Sequence, residues 1–298
     1  SVGLRGSLFR KLTDFRNYII KHHITLILSY LTLANFLGAI SSLLDHNLKT
    51  VGGIRSEKLP VLKFLVERYV HNNINTCTVF NSHAARNGFI RRGFDPGKAF
   101  VIHNAAMIQP YSELPHDTNE ISLISVSRFV KSKDFSTALK SFRYLVDKFP
   151  GVKIRFLIVG YGKCEGYIRG LIRKYDLDLQ VDLIIDPPNI RELLARSDIY
   201  LSTSLVEGLS NSIMEAMAAG LPVVATDVGD NRYLIEESKN GYIVPCGDPE
   251  IIAQKLEPLI FSDELRKKFG EYSYFKIRAE FTEEQMLAKY MTLIEGLT

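Results

Sequence analysis

The stretch "IYLSTSLVEGLSNSIMEAMAAGLPVVATD", Ile199 to Asp227, decides the fold. It opens with an apolar run closed by Ser204, takes up helical periodicity after Ser210, and breaks at Gly220. Pro222 then opens a second apolar run, "PVVATD". Uniformly apolar strands joined through a helix are what a parallel sheet covered on both faces requires.

The same unit repeats outward. Upstream stand "ISLISVS" with a helix from about Asp134 to Phe149, "KIRFLIVG" with a helix, and "VDLIID" with "NIRELLARS"; downstream come a short helix and "GYIVP". A less tidy alternation fills the first hundred residues: a helix before His23, "TLILSY", a helix, "KTVGGI", a long helix from Pro60, "TCTVFN", another helix, and "AFVIHN". The polar, proline-bearing segment "AAMIQPYSELPHDTNE" separates the halves as a linker. The pattern predicts an α/β chain of two Rossmann-like domains with parallel sheets facing across a cleft. They are expected at 1–110 and 111–281, with a C-terminal helix over 282–298 packing back on the first. Ligands of such sheets sit beyond the carboxyl ends of the strands.

Composition agrees with a folded chain of two domains: 298 residues, 46% hydrophobic and 23% charged. Cys77, Cys164 and Cys246 are far apart and lack metal-ligand spacing, so they read as reduced thiols of a cytoplasmic protein. Ile24 to Leu44, "ITLILSYLTLANFLGAISSLL", has 21 residues without a charge. Ser29, Thr32 and Asn35 interrupt it, so it predicts a strand over Thr25 to Tyr30 and a helix from near Leu33 rather than a membrane span. Charge is uneven: residues 1–115 hold 14 Lys and Arg against 6 Asp and Glu, the remainder 23 against 27. The basic first part suits contact with an anionic membrane surface or an acidic ligand, and equally a solvated basic face. Nucleic acid is not expected as a partner, because no aromatic and basic interleaving or reader motif accompanies the charge.

Glu207 follows a strand and Glu215 lies about a turn into the next helix, whose free N–H groups make an anion site that Gly208 opens to a ligand. Taken singly, Glu207 could be a solvated loop carboxylate and Glu215 the partner of Ser212 in a capping box. Together with "GLSNSIM" between them and "AMAAGLPVVATDVG" after, the segment closely resembles the signature of family 4 (group 1) retaining glycosyltransferases of the GT-B fold. The resemblance implies that Glu207 contacts the donor sugar's hydroxyls and Glu215 the ribose of the nucleotide. Gly208, Leu209, Ser210 and Asn211 would then lie along the donor. A carboxylate suits this work because it accepts from two vicinal hydroxyls at once.

In "SVSRFVKSKDF", Arg128 and Lys133 stand at the spacing that the family uses for the donor diphosphate, where fixed cations stabilise the departing nucleotide; Lys131 reads as a bystander. The glycines of "GYGKCEG" are spaced GxGxxxG, one residue off a dinucleotide fingerprint. The resemblance places Gly160 and Gly162 beside the nucleotide, and Ile185, in the "IIDPPN" loop, near the base. An NAD-linked oxidoreductase is a remote alternative, because the first βα turn of that domain holds Arg128 and Lys133 instead. The pair Asp176 and Asp178 has the spacing of a metal-binding motif of the other main transferase fold, but it sits between a helix and a strand and reads as a solvated turn.

In the first domain the family often carries a histidine where this chain has Tyr30, and that role does not transfer. A subset instead shows the pattern matched by Tyr30, Asn35 and Arg55, which become acceptor-side candidates together with His103. In "KAFVIHNAA" Ala105 replaces the family's glycine. The implied activity is metal-independent transfer of a hexosyl or N-acetylhexosaminyl group from a nucleotide-diphosphate sugar, UDP favoured, to a saccharide or lipid-linked acceptor. Retention would follow from front-face attack, with a donor phosphate oxygen taking the proton, and no cofactor or metal is implied. The alternative is a non-catalytic sugar-nucleotide-binding subunit. Polysaccharide assembly at the cytoplasmic membrane face would suit the basic first half. Against full family members roughly seventy residues are missing ahead of "KHHITLILSYL", so a truncated first domain is a further expectation.

Overall fold

The computed structural model describes residues 8–43, 47–108 and 120–297; most of the expected linker lies outside them. The chain divides into two compact units: residues 1–103 with 287–298, and residues 104–286. The division therefore falls after His103 rather than at 110. The last helix also straddles it, joining the first unit only from Leu287 onward.

The first unit runs α1 (Leu8–Lys21), β1 (Leu26–Tyr30), α2 (Thr32–Leu43), β2 (Lys49–Ile54), α3 (Val61–Asn73), β3 (Cys77–Phe80), α4 (His83–Ile90) and β4 (Ala99–Val101). Its strands form a parallel sheet in the order β1-β2-β3-β4. The uncharged stretch thus divides into a strand and a helix, with the positive φ of Leu31 (80°) at the turn. Phe80, Phe89, Phe94, Ile54 and Ala99 make the core.

The second unit holds β5 (Ile121–Arg128), α5 (Phe135–Lys148), β6 (Ile154–Tyr161), α6 (Glu165–Lys174), β7 (Val181–Ile185), α7 (Ile190–Ala195), β8 (Ile199–Ser202), α8 (Asn211–Ala218), β9 (Val223–Thr226), α9 (Asn231–Leu234), β10 (Gly241–Val244), α10 (Pro249–Phe261) and α11 (Asp263–Glu280). The last helix, α12 (Glu283–Glu295), passes from this unit into the first. The sheet order is β10-β9-β8-β5-β6-β7, all parallel. Neighbouring residues on each strand feed opposite cores: Leu123, Ile158, Leu201 and Val224 point to one, Ile124, Val159, Tyr200 and Val223 to the other. Strands buried on both faces explain the uninterrupted apolar runs. The winding reverses between β5 and β8, and a crevice opens at the carboxyl ends of strands where it does so.

Candidate active site in the second unit

Lys133 lies beyond β5 and Glu207 beyond β8, so the two flank the reversal point. The loops carrying them are stitched together: Leu205 N donates to Ser132 O (2.8 Å), and Thr203 Oγ1 reaches the carbonyl oxygens of Lys133 and Asp134, both at 3.0 Å. Glu207 Oε1 accepts from Ser204 Oγ (2.7 Å) and forms an ion pair with Lys133 Nζ. Both side chains are largely buried, so solvent screens the pair weakly. Asp134, which caps α5 by accepting from Thr137 N and Oγ1, adopts φ 46° and turns the chain directly after Lys133.

The Glu207 loop is held from behind by residues that sequence reasoning did not single out. Gly208 O accepts from Asp230 N (2.8 Å), Ser204 O accepts from Thr226 Oγ1 (2.5 Å), and Gly229 sits at φ 57°. A Cβ on Gly229 would lie 2.2 Å from Glu207 O, so no other residue fits there without moving the loop. The signal was a glycine followed by an aspartate just after "PVVATD".

Ser210, not Ser212, caps α8, its hydroxyl accepting from Ile213 N. Glu215 is then the fifth helical residue, too far along to act in a capping box. It is exposed, yet the protein mass around it pushes its carboxyl above the ordinary range, against the opposing pull of Arg191. Tyr200 lies within the fields of both glutamates. Fully buried, its hydroxyl donates to Val126 O (3.1 Å), and burial raises its pKa, with the fields of Glu207 and Glu215 adding to the rise. Asn211 is exposed at the first turn and accepts from Asn104 Nδ2 (3.0 Å). Leu209 packs into the core, so only its backbone is available to a ligand.

Arg128 ends β5, exposed and opposite Tyr161 in register. Gly160 and Gly162, each at φ 148°, have an immediate reason within the protein. A Cβ on the first would lie 1.9 Å from Ser127 O and on the second 2.6 Å from Phe129 O, so the turn packs against the end of β5. Ile185 closes β7, exposed at the same edge. Asp176 and Asp178 occupy the turn between α6 and β7, at the opposite ends of the strands.

In the first unit, Asn35, expected on the acceptor side, lies in the interior. It is 1% exposed; its amide donates to both oxygens of Glu67 (3.0 and 3.1 Å), and its Oδ1 accepts from Ser29 Oγ (2.9 Å). Its polarity serves a buried network that ties α2 to β1, β2 and α3. Tyr30 and Arg55 do come together, the guanidinium lying 4.6 Å from the ring centroid, while Tyr30 hydrogen-bonds Tyr290 (2.9 Å). His103 sits edge-on to His83 with centroids 5.2 Å apart.

The family model of the glycosyl transferases group 1 matches residues 111–275, and the chain belongs to that family. It is 29% identical over 193 residues to the N-acetyl-alpha-D-glucosaminyl L-malate synthase of Bacillus anthracis, covering 65% of this chain and 50% of that one. It is 30% identical over 190 residues to the putative colanic acid biosynthesis glycosyltransferase WcaL of Escherichia coli, covering 59% and 45%. The chain thus spans about half the length of these relatives. Among solved structures, Anabaena HepE in complex with UDP superposes with a TM-score of 0.86 at 20% identity, covering 96% of this chain and 82% of that one. A TarM variant from S. aureus, in complex with Fondaparinux, alpha-GlcNAc-glycerol and UDP, gives 0.76 at 24%, covering 95% and 58%. These likenesses show two parallel-sheet α/β domains of the GT-B fold.

Proposed function

We propose that the chain is the donor-binding and part of the acceptor-binding portion of a retaining glycosyltransferase. Its donor would be a nucleotide-diphosphate sugar, UDP favoured, and its acceptor a saccharide or lipid-linked saccharide in polysaccharide assembly. The observation that carries the reading is the Lys133–Glu207 pair at the reversal point of the sheet, beside the N-terminus of α8. It sets a cation and a hydroxyl-accepting carboxylate side by side, where a diphosphate meets its sugar. UDP bound to HepE and TarM supports the choice of base.

Arg128 and Lys133 would neutralise the diphosphate as the sugar departs, Glu207 would hold sugar hydroxyls, and Glu215 the ribose. Gly208, Ser210 and Asn211 would line the phosphates and sugar. Because Glu207 is committed to Lys133 and Ser204, front-face attack, with a donor phosphate oxygen as base, suits the site better than a covalent sugar on that carboxylate. Peripheral contact with an anionic membrane face belongs to the same reading. Among the described residues, no helix is long and apolar enough to cross a membrane.

The test is a thermal-shift screen against UDP-, GDP- and ADP-sugars, in which a ligand at about 100 times its Kd stabilises by roughly 2.7 kcal/mol. It is followed by release of nucleoside diphosphate with and without saccharide acceptors, in EDTA. Sugar-nucleotide binding without acceptor-dependent release would favour the non-catalytic subunit. Loss in EDTA with rescue by Mn²⁺ would overturn metal independence.

A further inference from the structure

Strand β2 carries a glycine pair, Gly52 and Gly53, which a strand interior does not need for its own sake. Gly53 stands opposite Tyr30 in register, and a Cβ on it would lie 2.2 Å from the Tyr30 ring. The missing side chain therefore lets that ring lie across the end of β2. There the Tyr30 hydroxyl donates to that of Tyr290 on α12 (2.9 Å), and the face of the ring takes the Arg55 guanidinium at 4.6 Å. Burial pushes the Tyr290 hydroxyl's pKa up, the bond to Tyr30 adds to the rise, and Arg55, within hydrogen-bonding reach, opposes it. The ends of β1 and β2 and the last helix thus converge on one guanidinium.

Arg55 differs from other arginines of the same unit. Arg68, Arg86 and Arg92 each donate to main-chain carbonyls, those of Arg92, Ala99 and Gly88. Among the described residues Arg55 has neither a carboxylate nor a carbonyl partner, and it stands exposed directly beyond β2, at the carboxyl edge of the sheet. A guanidinium carries five N–H donors in one plane, so two tyrosines can hold it and leave a pair of donors facing outward. We propose that Arg55, steadied by Tyr30 and Tyr290, binds an oxyanion of the acceptor, a phosphate or a carboxylate, through two parallel hydrogen bonds. The first unit carries 15 Lys and Arg against 6 Asp and Glu, so its field favours a ligand of that sign. Tyr30 and Tyr290 act as positioning residues: they fix where the guanidinium points. The proposal rests on the transferase reading and names the chemical class of its acceptor.

The test is calorimetric titration of the full chain, with UDP present to occupy the donor site, against glucose 1-phosphate, glucuronate and methyl glucoside. At least one of the two acids should bind about tenfold more tightly than the neutral glycoside, and the tighter of the two names the source of the oxyanion. Arg55→Gln should abolish that preference, whereas Arg55→Lys should keep about threefold of it, because an ammonium cannot bind two oxygens in the same way. Tyr290→Phe keeps the ring and loses the hydroxyl, and should reduce the preference about threefold. A merely structural tyrosine would leave the ratio of acid to neutral affinity alone. Melting temperature and UDP affinity should stay the same in all three variants, excluding unfolding as the cause. Equal binding of acid and neutral ligands, binding of neither acid, or a preference that survives Arg55→Gln would overturn the proposal. UDP affinity in the same samples tests the transferase reading by itself, and an Arg55-dependent preference stands whether or not UDP binds.

Discussion

Lys133 and Glu207 are ion-paired across 74 residues of chain, and Ser204 Oγ shares the same carboxylate oxygen at 2.7 Å. Lys133→Ala frees that carboxylate in a site meant to receive a diphosphate. On the proposed reading it should weaken nucleoside diphosphate binding and turnover together, by roughly 1.5 to 3 kcal/mol in the binding term. Glu207→Gln should lower kcat with little change in nucleotide affinity. Calorimetry alongside steady-state kinetics separates the two; equal effects of both variants on affinity would break the division of roles.

Glu215→Ala should weaken nucleoside diphosphate binding by roughly 1.5 to 3 kcal/mol, because two ribose hydroxyls lose a shared acceptor. Unchanged affinity in isothermal titration would remove Glu215 from the ribose site.

Gly229→Ala touches no proposed substrate group, yet its Cβ would meet Glu207 O at 2.2 Å in a backbone conformation that disfavours a side chain. The variant should lose turnover well beyond its stability loss of about 1 to 3 kcal/mol. A melt and an activity assay on the same sample check this.

Asn35→Ala should act on stability. It strips hydrogen bonds from both oxygens of Glu67, whose carboxyl burial already pushes above the ordinary range. A cost of roughly 2 to 3 kcal/mol in urea unfolding is expected, with donor binding by the second unit unaltered.

His71 is buried against Phe94, its Nε2 donating to Asp95 O and its Nδ1 accepting from Thr78 Oγ1. That pattern fixes the neutral tautomer, and burial, seconded by the charge of Lys98, lowers the ring's pKa below its ordinary 6.5, against the opposing pull of Asp95. The unfolded chain therefore binds the proton first, so this contribution is complete above about pH 6.5 and declines as pH falls below it. Urea midpoints at descending pH should show a loss that shrinks in His71→Gln.

The strand and helix pattern was legible because it is local: apolar runs on buried strands, Gly220 at a helix end and Pro222 before a strand all act within a few residues. Glu207 and Glu215, with Arg128 and Lys133, could be picked out because the motifs that carry the family resemblance are local, each running from a strand end into the following helix. Only the tertiary structure decided what those residues touch. That Lys133 meets Glu207 and that Thr226, Gly229 and Asp230 brace the loop depend on strands adjacent in space and separated in sequence. Asn35 marks the limit most clearly. A polar residue in an apolar stretch looks the same whether it faces a ligand or satisfies a buried carboxylate, and Glu67, which decides between them, arrives on another helix 32 residues later.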